Sequence, residues 1–192
     1  MRIPRIAWAS LALLASGCAA PPLTLYTLGA PAVAVGSEHS AADAPVLEVR
    51  RVSLPDYLDT PDIVTRDGQT IMRSRKGRWA SRLSLGVTDL ITAQLAATRP
   101  DLLVTDQPEQ GTPRYRLFVN ISRLDISADG TAALTASWSI EPNDAARPDI
   151  RGRASFAQQG PVTTDADVVA LTNSLVDRLA ARIALDLARA AR

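Results

Sequence analysis

Few side chains in this 192-residue sequence could carry covalent or proton-transfer chemistry. The chain contains one cysteine, Cys18, and one histidine, His39. A catalytic nucleophile needs a base within hydrogen-bond reach, but His39 lies in a stretch rich in Ala, Pro, Gly and Ser, which is typical of a solvated tether. The sequence also lacks a G-x-S-x-G motif, a P-loop and a His/Cys cluster with metal-ligand spacing. We therefore expect a protein that is not an enzyme.

Four aspartates lie close together in a loop-like segment that contains two prolines, at positions 56, 59, 62 and 67. Carboxylate oxygens are the ligands that calcium prefers. Aspartates in turns, however, commonly accept hydrogen bonds from the nearby backbone. In a Pro-rich loop the second interpretation is favoured, so we predict no metal and no cofactor.

The sequence before Cys18 is typical of an export signal. Arg2 and Arg5 precede an apolar run over residues 6–15, about half of the roughly 20 residues that a membrane-spanning helix needs. Leu14-Ala-Ser-Gly-Cys18 resembles a lipobox, in which small residues admit the signal peptidase and the thiol takes a diacylglyceryl group. Because the chain has no second cysteine, Cys18 has no disulfide partner within it. We predict cleavage before Cys18 and its lipidation.

The predicted anchor also indicates where the mature chain resides. Each buried acyl methylene contributes about 0.8 kcal/mol, and anchoring by more than one acyl chain is stable. The residue after the cysteine is Ala19, not the aspartate that favours retention in the inner membrane. We therefore predict a signal peptide over residues 1–17, a lipidated tether over residues 18–44 and location at the periplasmic face of the outer membrane.

Charge and length limit the remaining classes of function. The full chain has 21 basic and 20 acidic residues, and removal of Arg2 and Arg5 with the signal leaves 19 basic residues and a formal charge of −1. The basic residues are scattered, apart from a short run over residues 73–78, which predicts no nucleic-acid partner. About 150 remaining residues suit one domain with a single core. We place this domain at residues 45–192.

Hydrophobic periodicity predicts the elements of the first half. Residues 23–28 and 46–52 favour extended segments, and residues 63–73 predict a hairpin around the turn dipeptide Asp67-Gly68. Between Trp79 and Arg99, apolar residues recur at three- and four-residue steps, as on one face of a helix.

In the second half, alternation predicts three further strands and a long helix. The apolar parity switches after Ile121, which indicates a bulge near Arg123. Asp129-Gly130 marks a second hairpin turn. Thr164 can cap a helix whose buried side carries leucines and an isoleucine at helical spacing. This order predicts an α+β fold, a mainly antiparallel sheet with two long helices packed on one face in a two-layer sandwich.

Several short motifs resemble those of the PqiC/YmbA-type auxiliary lipoproteins of ABC transport systems, which accompany MCE-domain lipid transporters. The motifs are the lipobox, Tyr26-Thr-Leu28, Leu54-Pro-Asp-Tyr-Leu-Asp59, Pro61-Asp-Ile-Val-Thr-Arg66, Arg78-Trp-Ala80 at the expected helix start, and the long C-terminal helix. The sequence departs from the family where Ser81-Arg82 stand in place of the frequent Glu-Pro, which affects the expected helix start. The resemblance covers nearly the whole chain.

The resemblance implies a non-enzymatic component of a lipid-transport system. Its partners would be an MCE-domain transport protein with its inner-membrane ATPase and permease, and the outer membrane through the lipid anchor. The system would move lipids between the two membranes and so support envelope integrity. A ring-shaped partner assembly also makes a homo-oligomer plausible.

Five residues are candidates for partner contact: Asp56, Tyr57, Leu58, Arg78 and Trp79. Aromatic residues and Arg are over-represented at interface hot spots. The competing interpretation is that Tyr57 and Trp79 close the ends of the core.

Two alternatives to the docking role stay open at the level of sequence. One is a periplasmic lipid carrier that holds an acyl chain between the helices and the sheet. The other is an envelope hydrolase, which the missing catalytic base disfavours. The apolar faces of both helices favour a packed core over a lipid groove, because a two-layer domain must bury them against its sheet.

Overall fold

The computed structural model describes residues 22–28, 44–107 and 112–190. Cys18, His39 and the predicted signal peptide lie outside these ranges. The described residues form eight strands and two helices. Their bounds are β1 Thr24–Tyr26, β2 Val46–Val49, β3 Asp62–Asp67, β4 Thr70–Trp79, α1 Leu83–Thr98, β5 Leu103–Thr105, β6 Tyr115–Ile126, β7 Thr131–Pro142, β8 Ile150–Gln159 and α2 Asp165–Ala190.

The strands form two mixed sheets, one of three strands and one of five. The three-stranded sheet has the order β1-β4-β3, in which β1 is parallel to β4 and β3 is antiparallel to it. The five-stranded sheet has the order β5-β2-β6-β7-β8, in which β2 is parallel to both of its neighbours. The predicted α+β class is confirmed, but the strands divide into two sheets where we expected one mainly antiparallel sheet. Strand alternation predicts which face is buried and leaves the pairing partner undefined.

Both helices pack against one face of the five-stranded sheet, as predicted. Their buried side chains join those of the sheet in one hydrophobic cluster, and the innermost are fully buried. α2 contacts β6, β7 and β8, while α1 contacts α2 and β5. The largest side chains with almost no exposure are Leu47, Ile63, Ile91, Leu95, Leu117, Ile121, Leu134, Ile140, Leu175, Leu179, Ile183 and Leu187.

The predicted bulge in β6 is confirmed. The β6–β7 register shifts between Ile121 and Arg123, and the buried apolar positions change from odd to even numbers at this point. The extra residue keeps apolar side chains directed at the core on both sides of the shift. Both predicted turns also exist, and Gly68 and Gly130 adopt the positive φ angles of 57° and 86° that these tight turns require.

The region around Trp79 differs from the prediction. Arg78 and Trp79 are the last residues of β4, and α1 begins four residues after Trp79, at Leu83. The Arg78-Trp-Ala80 motif that we expected at the helix start therefore lies at the end of a strand, and the helix begins with the periodic apolar residues at Leu83. Trp79 is buried in the hydrophobic core, and its backbone pairs with Tyr26 of β1.

Within the described ranges, neither helix is long and apolar enough to span a bilayer.

Candidate functional site

Three of the predicted contact residues lie in the loop between β2 and β3. Leu58 is buried, with 2% of its surface exposed, and its backbone N–H donates to Pro55 O at 2.9 Å. Tyr57 is the opposite case, with 38% of its surface exposed. Asp56 is exposed beside it. The turn thus uses Leu58 to hold the loop on the core and directs Asp56 and Tyr57 into solvent.

An ion-pair chain links this loop to the five-stranded sheet. Arg66 of β3 donates to Tyr57 Oη at 3.2 Å and lies over its ring, 5.8 Å from the centroid. The Nε of the same arginine is 2.9 Å from Asp125 Oδ1, and Arg123 Nε binds the other oxygen of Asp125 at 2.8 Å. Asp125 first, and Tyr57 after it, raise the pKa of Arg66 against a smaller opposing effect of burial. Tyr57 is therefore held in place on an otherwise exposed loop.

Arg78 and Trp79 are held inside the β3–β4 hairpin. Arg78 Nε is 2.8 Å from Asp62 Oδ1, and its Nη1 donates to Gly77 O at 2.7 Å. Arg73 binds the other oxygen of Asp62 at 3.0 Å. Trp79 is 6% exposed. Of the five predicted contact residues, the structure therefore exposes Asp56 and Tyr57 and engages Arg78 in internal contacts, while Leu58 and Trp79 join the core.

The carboxylate of Asp59 connects the same loop to α1. Asp59 Oδ1 accepts from the backbone N–H of Ser84 at 3.1 Å, and Oδ2 is 3.3 Å from Arg51 and 3.8 Å from Arg82. Burial raises the pKa of Asp59, but the hydrogen bonds from Ser84 and the two arginine charges outweigh it and bring the pKa below its usual range. Asp59 is thus an ionised cap that positions the Tyr57 loop on the helix.

The face of the five-stranded sheet that the helices leave open contains a groove of about 640 Å³. Phe118 lies at its centre. This apolar side chain is on the outward-facing side of β6 and is 39% exposed. Arginines, hydroxyls and an amide surround this ring: Arg51, Ser53, Asn120, Ser137, Ser139, Arg151 and Arg153.

On the opposite, helix-covered face of the same strands, one side chain lies unusually close to the backbone. The Trp138 indole covers Gly152 so closely that a Cβ at this glycine would lie 2.3 Å from the ring. Trp138 has the same parity as the core residues Leu134 and Ile140, and its Nε1 is buried without a hydrogen-bond partner among the described residues. No polar side chain at position 152 is sterically possible without displacing the indole.

The charges of the groove are partly free. Arg151 is 3.3 Å from Asp149, whereas Arg153 makes no ion pair or side-chain hydrogen bond with any residue of the described ranges. By contrast, Glu48 of β2 forms ion pairs with two arginines, Arg50 at 2.6 Å and Arg116 at 3.2 Å. The hydrogen bond from Arg50 is the largest cause of the lowered pKa of Glu48; burial opposes it and Arg116 reinforces it. The uncompensated charge of the groove is therefore positive.

The outward-facing row of β6 joins the groove to the Tyr57 loop. Phe118 and Asn120 lie in the groove, and Arg123 and Asp125 continue the row to Arg66 and Tyr57. We call this combined area the open face: Tyr57, Arg66, Phe118, Asn120, Arg123 and Arg153. Its residues offer donors, positive charge and two exposed rings, a combination suited to binding.

Sequence reasoning missed most of the open face. Phe118 could have been recognised from the sequence, because it is an aromatic residue at a position of β6 where the alternation predicts an exposed polar side chain. Arg51 could not have been recognised from the sequence, since its place in the groove depends on the bridge between Ser53 and Asn120, which holds the chain after β2 beside β6. In the described part of the chain, no group of three or more His, Cys, Asp or Glu could hold a metal ion.

Comparisons with known proteins add the following findings. The model of a family described as an ABC-type transport auxiliary lipoprotein component matches residues 26–184. A crystal structure of an uncharacterized protein is 18% identical, with a TM-score of 0.71, and the alignment covers 86% of this chain and 99% of that one. Protein XCC0632 from Xanthomonas campestris, of family DUF330, is 14% identical, with a TM-score of 0.64 and coverage of 86% and 98%. Among curated proteins, no relative is found. At these identities the solved structures establish a shared fold.

Proposed function

This chain belongs to the family of ABC-type transport auxiliary lipoprotein components, and we propose that it is the docking subunit of an MCE-type lipid-transport system. In this role Cys18 anchors the chain at the periplasmic face of the outer membrane. The folded domain then binds the MCE-domain protein that connects it to the ATPase and permease of the inner membrane. The chain itself performs no chemistry, and its loss would weaken the envelope barrier.

The open face is the observation that supports docking best. The helices cover one face of the five-stranded sheet, while the other displays Phe118 and Tyr57 with 39% and 38% of their surfaces exposed. Exposed rings next to Arg are typical of the centre of a protein interface. Tyr57 is pre-positioned by Arg66, so little conformational freedom is lost when a partner binds.

The chemistry of the groove indicates what part of the partner binds there. Arg153 is free to pair with a carboxylate, and the Asn120 amide and the Ser137 hydroxyl can donate to carbonyl or carboxylate oxygens. We therefore propose that the transporter presents a segment with an acidic side chain and an apolar one, which would lie against Arg153 and Phe118. Positive charge at this site also accelerates the encounter at low ionic strength.

The lipid-carrier alternative has less support. Between the helices and the sheet, Leu175, Leu179 and Ile183 have no exposed surface and fill the space against the strands. The groove of about 640 Å³ lies on the opposite face and is lined by arginines, hydroxyls and an amide, which an acyl chain would desolvate without compensation.

The test is capture of the tagged, lipidated chain from detergent-solubilised envelopes, with mass spectrometry of the bound proteins and of the modified N-terminus. We expect an MCE-domain protein to be recovered with the wild type. The double variant Tyr57→Ala/Phe118→Ser should lower recovery at least about tenfold, because loss of two hot-spot residues typically costs 2 kcal/mol or more. The loss should exceed that of either single variant.

Leu185→Ser provides the matched control, since Leu185 is 60% exposed on α2, away from the open face, and its change removes a similar apolar surface. Equal recovery of the transporter with the wild type and the double variant would contradict docking through the open face. Acylated Cys18 without any MCE-domain protein, under conditions that preserve a control complex, would contradict the assignment to this transport system.

A further inference from the structure

The N-terminal strand β1 determines how the predicted anchor meets the folded domain. β1 is parallel to β4, with Thr24 opposite Gly77 and Tyr26 opposite Trp79. Tyr26 O also accepts from the N–H of Ala80 at 2.7 Å, which fixes the strand at the edge of the sheet. Because the two strands run in the same direction, the chain before Thr24 leads back towards Lys76 and Arg75.

Five residues separate Cys18 from Thr24. A fully extended chain spans about 3.3–3.6 Å per residue, so the lipidated cysteine can lie at most about 21 Å from the start of β1. This distance is less than the thickness of a small domain. The acyl chains of Cys18 would therefore keep the start of β1 within about 21 Å of the bilayer surface.

The surface at this edge is basic. The β3–β4 register passes from Asp62 opposite Arg78 to Val64 opposite Arg73, so residues 74–77 bulge out of the hairpin. Arg75 and Lys76 lie in the bulge, are exposed, and their side chains contact no acidic group within the described ranges. They line a cleft of about 470 Å³ together with Thr24 and Tyr26.

The acidic groups near this edge are already engaged. Asp165 of α2 lines the same cleft and accepts from Ser74 Oγ at 2.8 Å. Asp62 is bound by Arg73 and Arg78. Four cations therefore face two carboxylates, and the two unpaired cations are those nearest the start of β1.

Apolar side chains flank the other side of the strand. Leu23 and Leu25 are 55% and 62% exposed, and they alternate with Tyr26, whose ring packs on the core. Leucine at an exposed edge costs free energy in water and stabilises contact with the acyl boundary of a bilayer.

We propose that Leu23, Leu25, Arg75 and Lys76, which we call the anchor edge, form a surface for anionic phospholipid. The cations bind lipid phosphates while the leucines enter the interface, so the bilayer orients the domain in addition to retaining it. The inference rests on the proposed lipid anchor at Cys18 and is independent of the transporter that docks on the open face.

The test uses the mature chain from residue 18 with Cys18→Ser, mixed with vesicles of phosphatidylethanolamine and phosphatidylglycerol, and measures the partition coefficient by co-sedimentation at low and physiological salt. We expect measurable binding that salt weakens. Arg75→Glu/Lys76→Glu should lower the partition coefficient at least about tenfold, since each cation near an anionic surface contributes about fivefold and both are replaced. Leu23→Ser/Leu25→Ser should lower it several-fold.

Arg151→Glu/Arg153→Glu makes the same change of charge on the open face and should leave the partition coefficient within about twofold of wild type. Equal losses for both charge-reversal pairs would overturn the proposal, because they would show non-specific attraction. Absence of binding at low salt would overturn it as well. Arg75→Glu/Lys76→Glu should still recover the transporter from envelopes, so failure of the anchor edge is distinguishable from failure of docking.

Discussion

The two helices begin in different ways, although both pack on the same face of the sheet. α2 carries its own cap: Thr164 Oγ1 accepts from the N–H of Asp167 at 3.2 Å, and Asp167 Oδ2 accepts from the N–H of Thr164 at 2.8 Å. α1 has Arg82 at its N-cap position, which makes no capping hydrogen bond with its side chain. Its cap is Asp59, which accepts from the backbone N–H of Ser84, 25 residues later in the chain.

This difference has a functional consequence. A local cap stabilises its own helix and constrains little else. A distant cap also ties down the segment that supplies it, and Asp59 belongs to the loop that displays Asp56 and Tyr57. The Arg82 side chain does not cap α1, so the loop supplies the cap through Asp59. Helix stability and the geometry of the open face are therefore coupled in this chain.

The strongest test of the comparison is Asp59→Ala. We expect a loss of about 2 kcal/mol in the free energy of unfolding, at the upper end for a cap, because Arg51 loses an ion-pair partner in the same step. Urea unfolding followed by circular dichroism measures this loss. The variant should also weaken transporter recovery, since the Tyr57 loop is released. A loss below about 0.5 kcal/mol would show that α1 does not depend on the distant cap.

The acid dependence of the same variant sharpens the comparison. The pKa of Asp59 is lowered in the folded state, so its stabilisation is present above the unfolded carboxyl pKa of about 3.9 and is lost as the pH falls through the lower folded value. The difference between wild type and Asp59→Ala should thus be constant from pH 7 to about pH 5 and shrink below about pH 4. A difference that persists unchanged at pH 2 would indicate that the carboxylate charge plays no part.

Thr164→Ala tests the local cap. We expect a loss of about 1 kcal/mol, which is typical of an N-cap hydroxyl, and normal recovery of the transporter, because no part of the open face depends on this residue. Thermal unfolding measures the loss of stability, and the capture assay from envelopes measures the recovery of the transporter. Reduced recovery at equal expression would contradict the distinction between the two helix starts.

The smallest expected effect is a rescue. Arg82→Asp supplies a local acceptor at the N-cap of α1, so in the Asp59→Ala background it should restore roughly 0.5–1 kcal/mol. In the wild-type background the same change should give little gain, because Asp59 already occupies the backbone donor. The double variant should regain stability but should still recover little transporter, since the Tyr57 loop is no longer tied to α1. If Arg82→Asp changed the stability equally in the wild-type and Asp59→Ala backgrounds, residues 59 and 82 would not be capping the same helix end.

Prediction from sequence succeeded where the information is local. The turns at Gly68 and Gly130, the cap at Thr164 and the bulge after Ile121 each follow from a few neighbouring residues. The prediction failed at Trp79, where strand and helix periods meet. It also did not anticipate that Leu58 would be buried and Arg78 engaged inside the hairpin, because both follow from packing between distant segments.

By itself, the sequence determined the periodicity of the elements, the α+β class, the family and the predicted anchor at Cys18, since patterns of a few residues encode each of these. Tertiary structure alone decided which strands pair, and therefore that Phe118, Asn120 and Arg153 surround one groove. It also decided that Arg75 and Lys76 lie beside β1, the strand that follows the predicted anchor. The physical reason is that alternation specifies a buried face for each strand, while only the packed chain specifies its neighbours.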